Sequence, residues 1–371
     1  MKRIRLVVST AKGKGGSGSG GGAPAGGSAG GSASGGGGGS SGGGGAAGGG
    51  GSSGGGAGGG GGSAGLTKAR VVQQSTVSFA IPPKPASADI EVALDTTASM
   101  GAALSSAQSD AFAMVTKVQQ LVPDTRFAFV QFQDTHLSPV PYRLEQPLTS
   151  DPGVFEAALN KVAAPSDGVG GDPAEDYNTM FQNSLDAAIG WRAGSRKFLI
   201  VIGDAEPHGA GADGVTGCTD RSADPHGLHA PAVLAQLAAA NRTIFMIRQP
   251  GASASASLSC YQSLATDGYA GGLAEDGIGT LADTIAGLIE GSFARIDTAS
   301  VQVAAASPMP ASSSWVTIAN PTIGPIDAPS TVDFNLAIAV PAGTPHGIYS
   351  FTVAATADGA AIGTKKITIT V

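Results

Sequence analysis

The sequence predicts an α/β protein with three parts: a glycine-rich arm, a doubly wound, mostly parallel six-stranded sheet of the Rossmann-like kind, and a small all-β sandwich. Two changes of pattern along the chain predict this organisation. Between residues 89 and 290, short apolar runs alternate with stretches of helical periodicity, as they do in doubly wound sheets. From residue 332 onward, single apolar residues alternate with polar ones, and Gly- and Pro-containing pieces separate the runs, which is typical of antiparallel strands.

Residues 1–66 form a low-complexity arm in which roughly half of the residues are Gly and most of the others are Ser or Ala. Such a composition cannot bury a core, so we expect a disordered, flexible tether. The alternative is an ordered glycine-rich helix packed within an assembly, although the Gly-X-Y period of collagen is absent. The apolar run at residues 6–8 is shorter than the ~7–15 residues that a signal peptide needs, so no signal peptide is recognisable.

Residues 67–86 contain a weakly alternating strand at 70–81, followed by the linker Pro82-Pro83-Lys84-Pro85. The α/β region spans residues 87–293. Residues 294–371 form an immunoglobulin-like β-sandwich with few strong strands, which the strand at 70–81 could complete.

Within the α/β region, apolar runs predict strands at 90–94, 126–132, 142–147, 198–202, 243–247 and 269–272. The third of these follows the second by a short turn, so we expect it to be an antiparallel edge strand. A helical pattern after Glu175 carries Tyr177, Phe181, Leu185 and Ala188 on one stripe, and the last helix is expected at 281–290.

Oxygen-bearing side chains follow two of the predicted buried strands. Asp95, Thr97 and Ser99 occupy alternate positions after the strand at 90–94, and Asp204 follows the strand at 198–202. Ligands of open α/β sheets bind at the carboxyl ends of the strands, where these residues are expected to meet. Carboxylate and hydroxyl oxygens without thiol or imidazole suit a hard cation, Mg²⁺ or Ca²⁺. A helix N-cap would explain one such side chain, but three exceed what a cap needs.

The third acidic member is expected in the segment Gly170-Gly171-Asp172-Pro173-Ala174-Glu175, which opens the helix that follows it. Together the three segments resemble the von Willebrand factor A family, in its integrin-β-like and bacterial branch. The resemblance covers about residues 87–293 and implies a metal-ion-dependent adhesion site. Glu175 is then the acidic ligand on the third loop, with Asp172 as a substitute or a more distant partner, because the family often spaces these residues Asp-x-Pro-Glu.

The resemblance also implies how the site would be used. A bound cation coordinates the Asp or Glu carboxylate of a protein ligand, and side chains on the surrounding rim, here Asp134, Glu206 and His208, contact that partner. Integrin β chains insert this domain into an immunoglobulin-like sandwich, which suggests the same arrangement here.

In the strand order of that family, Cys218 and Cys260 lie on neighbouring loops of the same rim. A disulfide is therefore plausible and would suggest an extracellular location, while two free thiols in a cytosolic protein remain the alternative. The loop that contains Cys218 also carries possible zinc ligands, although a surface loop that selects partners is the simpler interpretation. These possible ligands are His208, His226, His229, Asp220 and Asp224.

Composition excludes several function classes. The net charge is −7, and the basic residues cluster only at the extreme N-terminus without aromatic neighbours, so we expect no nucleic-acid surface. No apolar run approaches the ~20 residues of a transmembrane segment. The sequence does not indicate an oligomeric state.

Three functions therefore compete. The first is a non-enzymatic, metal-dependent adhesion or protein-binding module, located outside the cell or at its surface, with a cytoplasmic location not excluded. The second is a structural subunit of a surface fibre or phage-like assembly, threaded by the arm. The third is a haloacid-dehalogenase-like phosphatase, which usually carries a second Asp at the position of Thr97.

Overall fold

The computed structural model describes residues 5–10, 71–134, 142–163, 174–209, 218, 224–250, 256–267, 271–277 and 280–371 of the 371-residue chain. In chain order the strands are β1 (Arg5–Thr10), β2 (Val71–Ile81), β3 (Ser87–Asp95), β4 (Asp124–Phe132), β5 (Tyr142–Thr149), β6 (Ala174–Glu175), β7 (Arg196–Gly203), β8 (Glu206–Pro207), β9 (Arg242–Arg248), β10 (Leu273–Asp276), β11 (Arg295–Ile296), β12 (Ala299–Ser307), β13 (Val316–Ile318), β14 (Thr322–Ile323), β15 (Ile326–Asp327), β16 (Ser330–Val340), β17 (Ile348–Ala357) and β18 (Ala360–Thr370). The α-helices are α1 (Gly101–Leu121), α2 (Pro152–Leu159), α3 (Tyr177–Asn183), α4 (Ala230–Ala239), α5 (Leu258–Asp267) and α6 (Leu281–Gly291).

A mixed six-stranded sheet organises the α/β region. Its strand order is β10-β9-β7-β3-β4-β5. Neighbouring strands run parallel except β5, which pairs antiparallel with β4 at the edge of the sheet. The prediction of an antiparallel edge strand is therefore confirmed. Because β3 and β7 are parallel neighbours, their carboxyl ends meet at one side of the sheet.

The sixth strand lies later in the chain than predicted. The sequence predicts it at 269–272, of which residues 269 and 270 lie outside the described residues, whereas β10 covers Leu273–Asp276. Gly271 has a φ of +91°, and a Cβ on Gly272 would collide with the backbone oxygen of Ala265. The glycines thus form the turn before the strand, because only glycine fits this close approach and this backbone conformation.

Apolar side chains on the two faces of the sheet enter two separate clusters. Ile90, Val92 and Leu94 of β3 pack with residues of α1, α2 and α6. On the other face, Leu199 and Val201 of β7 pack with residues of α3, α4 and α5. The strands between them are buried on both sides, which explains their nearly continuous apolar runs.

The helix after Glu175 is shorter than its apolar stripe predicted. Helix α3 ends at Asn183, so Leu185 and Ala188 lie outside it. Asp186 then caps a 3-10 turn by accepting a hydrogen bond from the backbone of Ala188. A competing turn of this kind is the usual effect of Asp within a helical pattern.

The remaining strands form antiparallel sheets. The larger has the order β1-β18-β17-β12-β14, a second has the order β13-β16-β2, and residues of both share one apolar cluster. Strand β2 pairs with β16 over eleven positions, from Val71 opposite Val340 to Ile81 opposite Ser330. This sheet therefore contains residues that flank the α/β region on both sides.

The prediction of a disordered arm over residues 1–66 is wrong for Arg5–Thr10. This segment forms β1 and pairs antiparallel with β18. It is the one part of the arm with consecutive apolar, β-branched residues, Val7 and Val8. The sequence pattern gave no indication of the sheet edge that receives it.

A buried ion pair joins the α/β region to the antiparallel sheets. Arg196, at the start of β7, lies 2.5 Å from Asp358, and both side chains are almost fully buried. Asp358 also accepts hydrogen bonds from the backbone N–H groups of Asp297 and Thr298. Among the described residues, no helix is both long and apolar enough to cross a membrane.

Candidate metal centre

The carboxyl end of β3 holds Asp95 in a fixed orientation. Its side chain is fully buried. One carboxyl oxygen accepts hydrogen bonds from the backbone N–H of Thr97 at 2.9 Å and from the Thr97 hydroxyl at 2.7 Å. The other oxygen, Oδ2, is buried without a hydrogen-bond partner among the described residues. A buried acceptor without a partner is costly, so this oxygen points to a group from outside the described part of the chain.

The loop after β3 meets the loop after β7. The hydroxyl of Ser99 donates to Asp204 at 3.1 Å and lies 3.4 Å from the hydroxyl of Thr97. Asp204 is buried, whereas Ser99 is exposed. The two loops therefore bring four of the candidate ligands, including Asp95, together at one point that opens to solvent.

Glu175 reaches this cluster from a third loop. Its short strand β6 pairs in parallel with β8, which follows Asp204 in the chain. The side chain is 4% exposed, and its Oε2 atom is buried with no hydrogen-bond partner in the part of the chain that the structure describes. The charges of Asp95, Asp134 and Asp204 all act on the pKa of Glu175, so the structure brings Glu175 close to the candidate ligands of the other two loops.

Burial dominates the electrostatics of the three carboxyl groups. It raises the pKa of Asp95 to about 7, with a further increase from Asp204, although the hydrogen bonds from Thr97 oppose the shift. Burial and the neighbouring carboxylates raise the pKa of Glu175 to about 10. Burial also raises the pKa of Asp204. Negative charge is therefore unfavourable here unless a cation compensates it.

The residues expected on the rim differ in their positions. His208 Nε2 lies 2.9 Å from Asp134 Oδ1, and the backbone N–H of His208 donates to the carbonyl of Glu175 at 3.0 Å. Asp134 is only 1% exposed, so it is a buried neighbour of the acidic cluster rather than a rim residue. Glu206 is partly exposed in β8. Asp172 and Asp220 lie outside the described residues.

Sequence reasoning missed two tyrosines beneath the cluster. The hydroxyls of Tyr177 and Tyr261 form a hydrogen bond, and Tyr261 donates to the backbone oxygen of Ala205 at 2.9 Å. A Cβ on Gly203 would collide with the Tyr177 hydroxyl. Two features of the sequence are connected with this arrangement: Gly203 directly precedes Asp204, and Tyr177 lies two positions after Glu175. Neither feature shows which residue the other contacts in the folded protein.

Cys218 and Cys260 form a disulfide in the structure, with their Cα atoms 4.9 Å apart. Cys260 is the third residue of α5, and both cysteines belong to the apolar cluster that contains Tyr177 and Tyr261. Cys218, which follows β8 in the chain, is thereby attached to the helix that supplies Tyr261.

The donor set fits a hard divalent cation. It consists of carboxylate and hydroxyl oxygens, and two of the carboxyl oxygens have no hydrogen-bond partner within the described ranges. Ser99, on one side of the set, is exposed to solvent. Within the described part of the chain, however, no three His, Cys, Asp or Glu side chains are arranged to hold a metal ion on their own. A cation here would need the hydroxyls of Thr97 and Ser99, together with water or a partner.

Comparisons with known proteins add little evidence on the function of this site. No protein-family model matches the chain, and no curated protein matches it significantly. Among solved structures, it is similar to the VWA domain of SpRpn10, with a TM-score of 0.35 and 11% sequence identity. That match covers 53% of this chain and 92% of the other. A TM-score of this size does not establish a shared fold.

Proposed function

We propose that this chain is a divalent-metal-dependent adhesion or protein-binding module. The observation that carries the proposal is the meeting of Asp95, Asp204 and Glu175 from three loops, with two buried carboxyl oxygens that have no hydrogen-bond partner among the residues that the structure describes. Mg²⁺ or Ca²⁺ would be held by these carboxylates and by the hydroxyls of Thr97 and Ser99. The bound ion would act as a Lewis acid that accepts a carboxylate oxygen from a partner protein.

A more specific assignment of the fold is also part of the proposal, and it supports the same function. We infer a von Willebrand factor A domain of the doubly wound kind, inserted into an immunoglobulin-like sandwich. The strand order with β3 and β7 at the centre and the two apolar clusters on opposite faces support the first part. The pairing of β2 with β16 supports the second.

A phosphatase is a weaker candidate. The residue two positions after Asp95 is Thr97, whose hydroxyl is already donated to the Asp95 carboxylate. Lys197 lies at the start of β7, whereas Asp204 follows the other end of that strand. Lys197 is therefore too distant from the carboxylate of Asp204 to support phosphoryl chemistry. We propose a non-enzymatic role.

The proposed partner is a protein that presents an Asp or Glu carboxylate, and the proposed location is extracellular or at the cell surface. The disulfide between Cys218 and Cys260 supports that location, because disulfides persist mainly in oxidising compartments. The acidic character of the cluster supports a metal-bridged contact, since an acidic partner would otherwise be repelled.

Titration calorimetry of the chelator-treated full-length chain with Mg²⁺ and with Ca²⁺ tests the metal. We expect one ion per chain, loss of binding in Asp95→Ala and Asp204→Ala, and a milder loss in Glu175→Ala if that side chain binds through water. Asp333→Ala is the matched control, because Asp333 is exposed on β16. Unchanged binding in Asp95→Ala would refute the site.

A peptide array tests the recognition step. Peptides with Asp or Glu should bind the Mg²⁺-loaded protein more strongly than the same peptides with Asn or Gln, and chelation should abolish the difference. Binding that survives chelation would contradict a bridging cation even if the metal binds.

A further inference from the structure

Backbone hydrogen bonds hold the chain at the end of β7, where Asp204 emerges. The carbonyl oxygen of Gly203 accepts a hydrogen bond from the N–H of Gln249 at 2.8 Å, and the carbonyl oxygen of Asp204 accepts one from the N–H of Ala256 at 3.2 Å. Each of these bonds joins two main-chain groups, which every residue except proline possesses. Substitutions that keep the N–H therefore leave the two contacts in place.

The third carbonyl group in this series, that of Ala205, is held by a side chain instead. Its oxygen accepts a hydrogen bond from the hydroxyl of Tyr261 at 2.9 Å. The same hydroxyl is hydrogen-bonded to the hydroxyl of Tyr177. Because a phenol has one proton and Tyr261 gives its own to Ala205, Tyr177 is the donor in the second bond. Donation therefore runs from Tyr177 to Tyr261 and from there to the main chain directly after Asp204.

Both hydroxyl groups lie in the interior and close to the acidic cluster. Tyr177 and Tyr261 are fully buried. Burial raises the pKa of both phenols well above its usual value, and the charges of Asp95 and Glu175 raise it further, so each hydroxyl keeps its proton and remains a donor. A Cβ on Gly203 would lie 2.1 Å from the Tyr177 hydroxyl and 2.9 Å from that of Tyr261. The two hydroxyls therefore fit directly against the last residue of β7.

We propose that Tyr261 is a positioning residue of the metal centre, and that its hydrogen bond to Ala205 fixes the direction in which Asp204 presents its carboxylate. This inference rests on the proposed function, because it takes Asp204 to be a ligand of the cation. Tyr261 would touch neither the cation nor the partner protein. It would act through the main chain, as residues behind a metal ligand orient that ligand and tune the affinity of the site.

A carboxylate in a fixed position affects cations of different size unequally. Mg²⁺ demands nearly ideal octahedral geometry at metal–oxygen distances of about 2.1 Å, whereas Ca²⁺ accepts irregular coordination at about 2.4 Å. Loosening the chain beside Asp204 should therefore weaken the binding of Mg²⁺ more than the binding of Ca²⁺. The hydrogen bond of Tyr261 would then contribute to how strongly the site distinguishes the two ions.

Titration calorimetry of the full-length variant Tyr261→Phe with Mg²⁺ and, separately, with Ca²⁺ tests the proposal. Phe keeps the ring and removes the hydroxyl alone. We expect the affinity for Mg²⁺ to fall by about tenfold, as is typical when a residue that orients a metal ligand is replaced, and the affinity for Ca²⁺ to fall by less than about threefold. Tyr177→Phe should have a smaller effect on Mg²⁺ binding, because Tyr261 can still donate to Ala205.

Tyr349→Phe is the matched control. Tyr349 is a buried tyrosine of the antiparallel sheets, and its hydroxyl donates to the carbonyl oxygen of Pro345 at 3.0 Å. This variant should lose stability, as Tyr261→Phe does, without a change in the affinity for either ion. The ratio of the two affinities therefore separates a positioning role from a general loss of stability.

Two outcomes of the titrations have different consequences. An unchanged ratio of Mg²⁺ to Ca²⁺ affinity in folded Tyr261→Phe would overturn the positioning role and leave the proposed function intact. Absence of binding in the wild-type protein would refute the proposed function and, with it, this inference.

A variant that does not fold would still leave a decisive comparison. If circular dichroism shows that Tyr261→Phe is unfolded, Tyr177→Phe takes its place, because removing the donor to Tyr261 should still lower the affinity ratio below that of Tyr349→Phe. Equal ratios in these two variants would overturn the proposal.

Discussion

Replacing Asp95 by Asn should stabilise the metal-free protein and abolish its response to Mg²⁺. Burial raises the pKa of Asp95 from 3.8 to about 7, and Asp204 raises it further. Because the folded pKa lies above the unfolded one, the stability that Asp95 contributes is fully present below pH 3.8 and is lost as the pH rises to about 7. At 1.36 kcal/mol per pH unit, the loss amounts to about 4 kcal/mol.

Asn avoids this loss because it does not ionise. It keeps one oxygen for the hydrogen bonds from Thr97, but a neutral acceptor forms weaker bonds than a carboxylate, so we expect a net gain of about 1–3 kcal/mol at pH 8. For a domain of this size that corresponds to a melting temperature higher by roughly 2–10 °C. The gain should shrink at lower pH, where Asp95 is protonated in the folded protein.

Mg²⁺ should reverse the order of stability. A ligand at a thousand times its dissociation constant stabilises the protein that binds it by about 4.1 kcal/mol, which exceeds the gain expected for Asn. The wild-type protein should gain this stability, whereas Asp95→Asn should gain none. The assay is thermal unfolding followed by circular dichroism at pH 6 and pH 8, with chelator or with Mg²⁺, and the exposed variant Asp333→Asn serves as the control.

Two results would refute this reasoning. If Asp95→Asn is less stable than the wild-type protein without metal at pH 8, the carboxylate is a structural acceptor rather than a destabilising buried charge. If Mg²⁺ stabilises the variant as much as the wild-type protein, the ion binds elsewhere.

Three further predictions concern other parts of the molecule. Burial raises the pKa of Glu91 from 4.5 to about 8, so stability is lost between those pH values by an amount on the order of 4–5 kcal/mol. Glu91→Gln, which can still accept from Ser184, should flatten urea-derived stability between pH 5 and pH 8.5, and an unchanged slope would contradict this. Deleting residues 31–60, which are all Gly, Ser or Ala, should shift the melting temperature by no more than a few degrees, because such a composition offers few side chains that could pack; a larger fall in calorimetry would show that the arm packs. Cys218 and Cys260, 42 residues apart, should be bonded in protein from its native location, a constraint of roughly 3–4 kcal/mol, and non-reducing mass spectrometry that finds both alkylated would refute the bond.

The central strands could be predicted because their surroundings are uniform. A strand buried on both faces needs a continuous apolar run, and β3, β4, β7 and β9 each lie within a few residues of their predicted positions. The rule that parallel strands end at one edge was sufficient to expect Asp95 and Asp204 as neighbours, and the structure brings them together through Ser99.

The remaining features depend on contacts that no local pattern records. The pairing of His208 with Asp134 requires two loops to take particular paths across the end of the sheet. Six residues of β1 carry too short a pattern to distinguish a strand from a linker, and only the edge of β18 decides between them. The position of β10 depends on the approach of Gly272 to the backbone of Ala265, which is invisible in a sequence.

Strand β3 itself provides an internal comparison for the candidate site, because its odd-numbered positions, which share one face, include three acidic residues: Asp89, Glu91 and Asp95. Burial raises the pKa of Asp89, but hydrogen bonds from Arg192, Ser195 and Arg126 more than offset this effect and hold the pKa below its usual value. Asp89 is therefore a buried carboxylate for which the chain supplies its own cations.

Glu91 and Asp95 have fewer positively charged neighbours than Asp89. Glu91 is fully buried, accepts from Ser184, and has the positive charge of Arg242 acting on it. The charged neighbour that acts on the pKa of Asp95 is another carboxylate, that of Asp204. Of the three positions, Asp95 alone combines a buried oxygen that has no hydrogen-bond partner among the described residues with a negatively charged neighbour and a nearby solvent-exposed side chain, that of Ser99. A divalent cation from solution would compensate the charge of Asp95 as Arg192 compensates that of Asp89. The absence of a counter-charge for Asp95 within the described part of the chain is the strongest physical argument for the proposed metal at the end of β3.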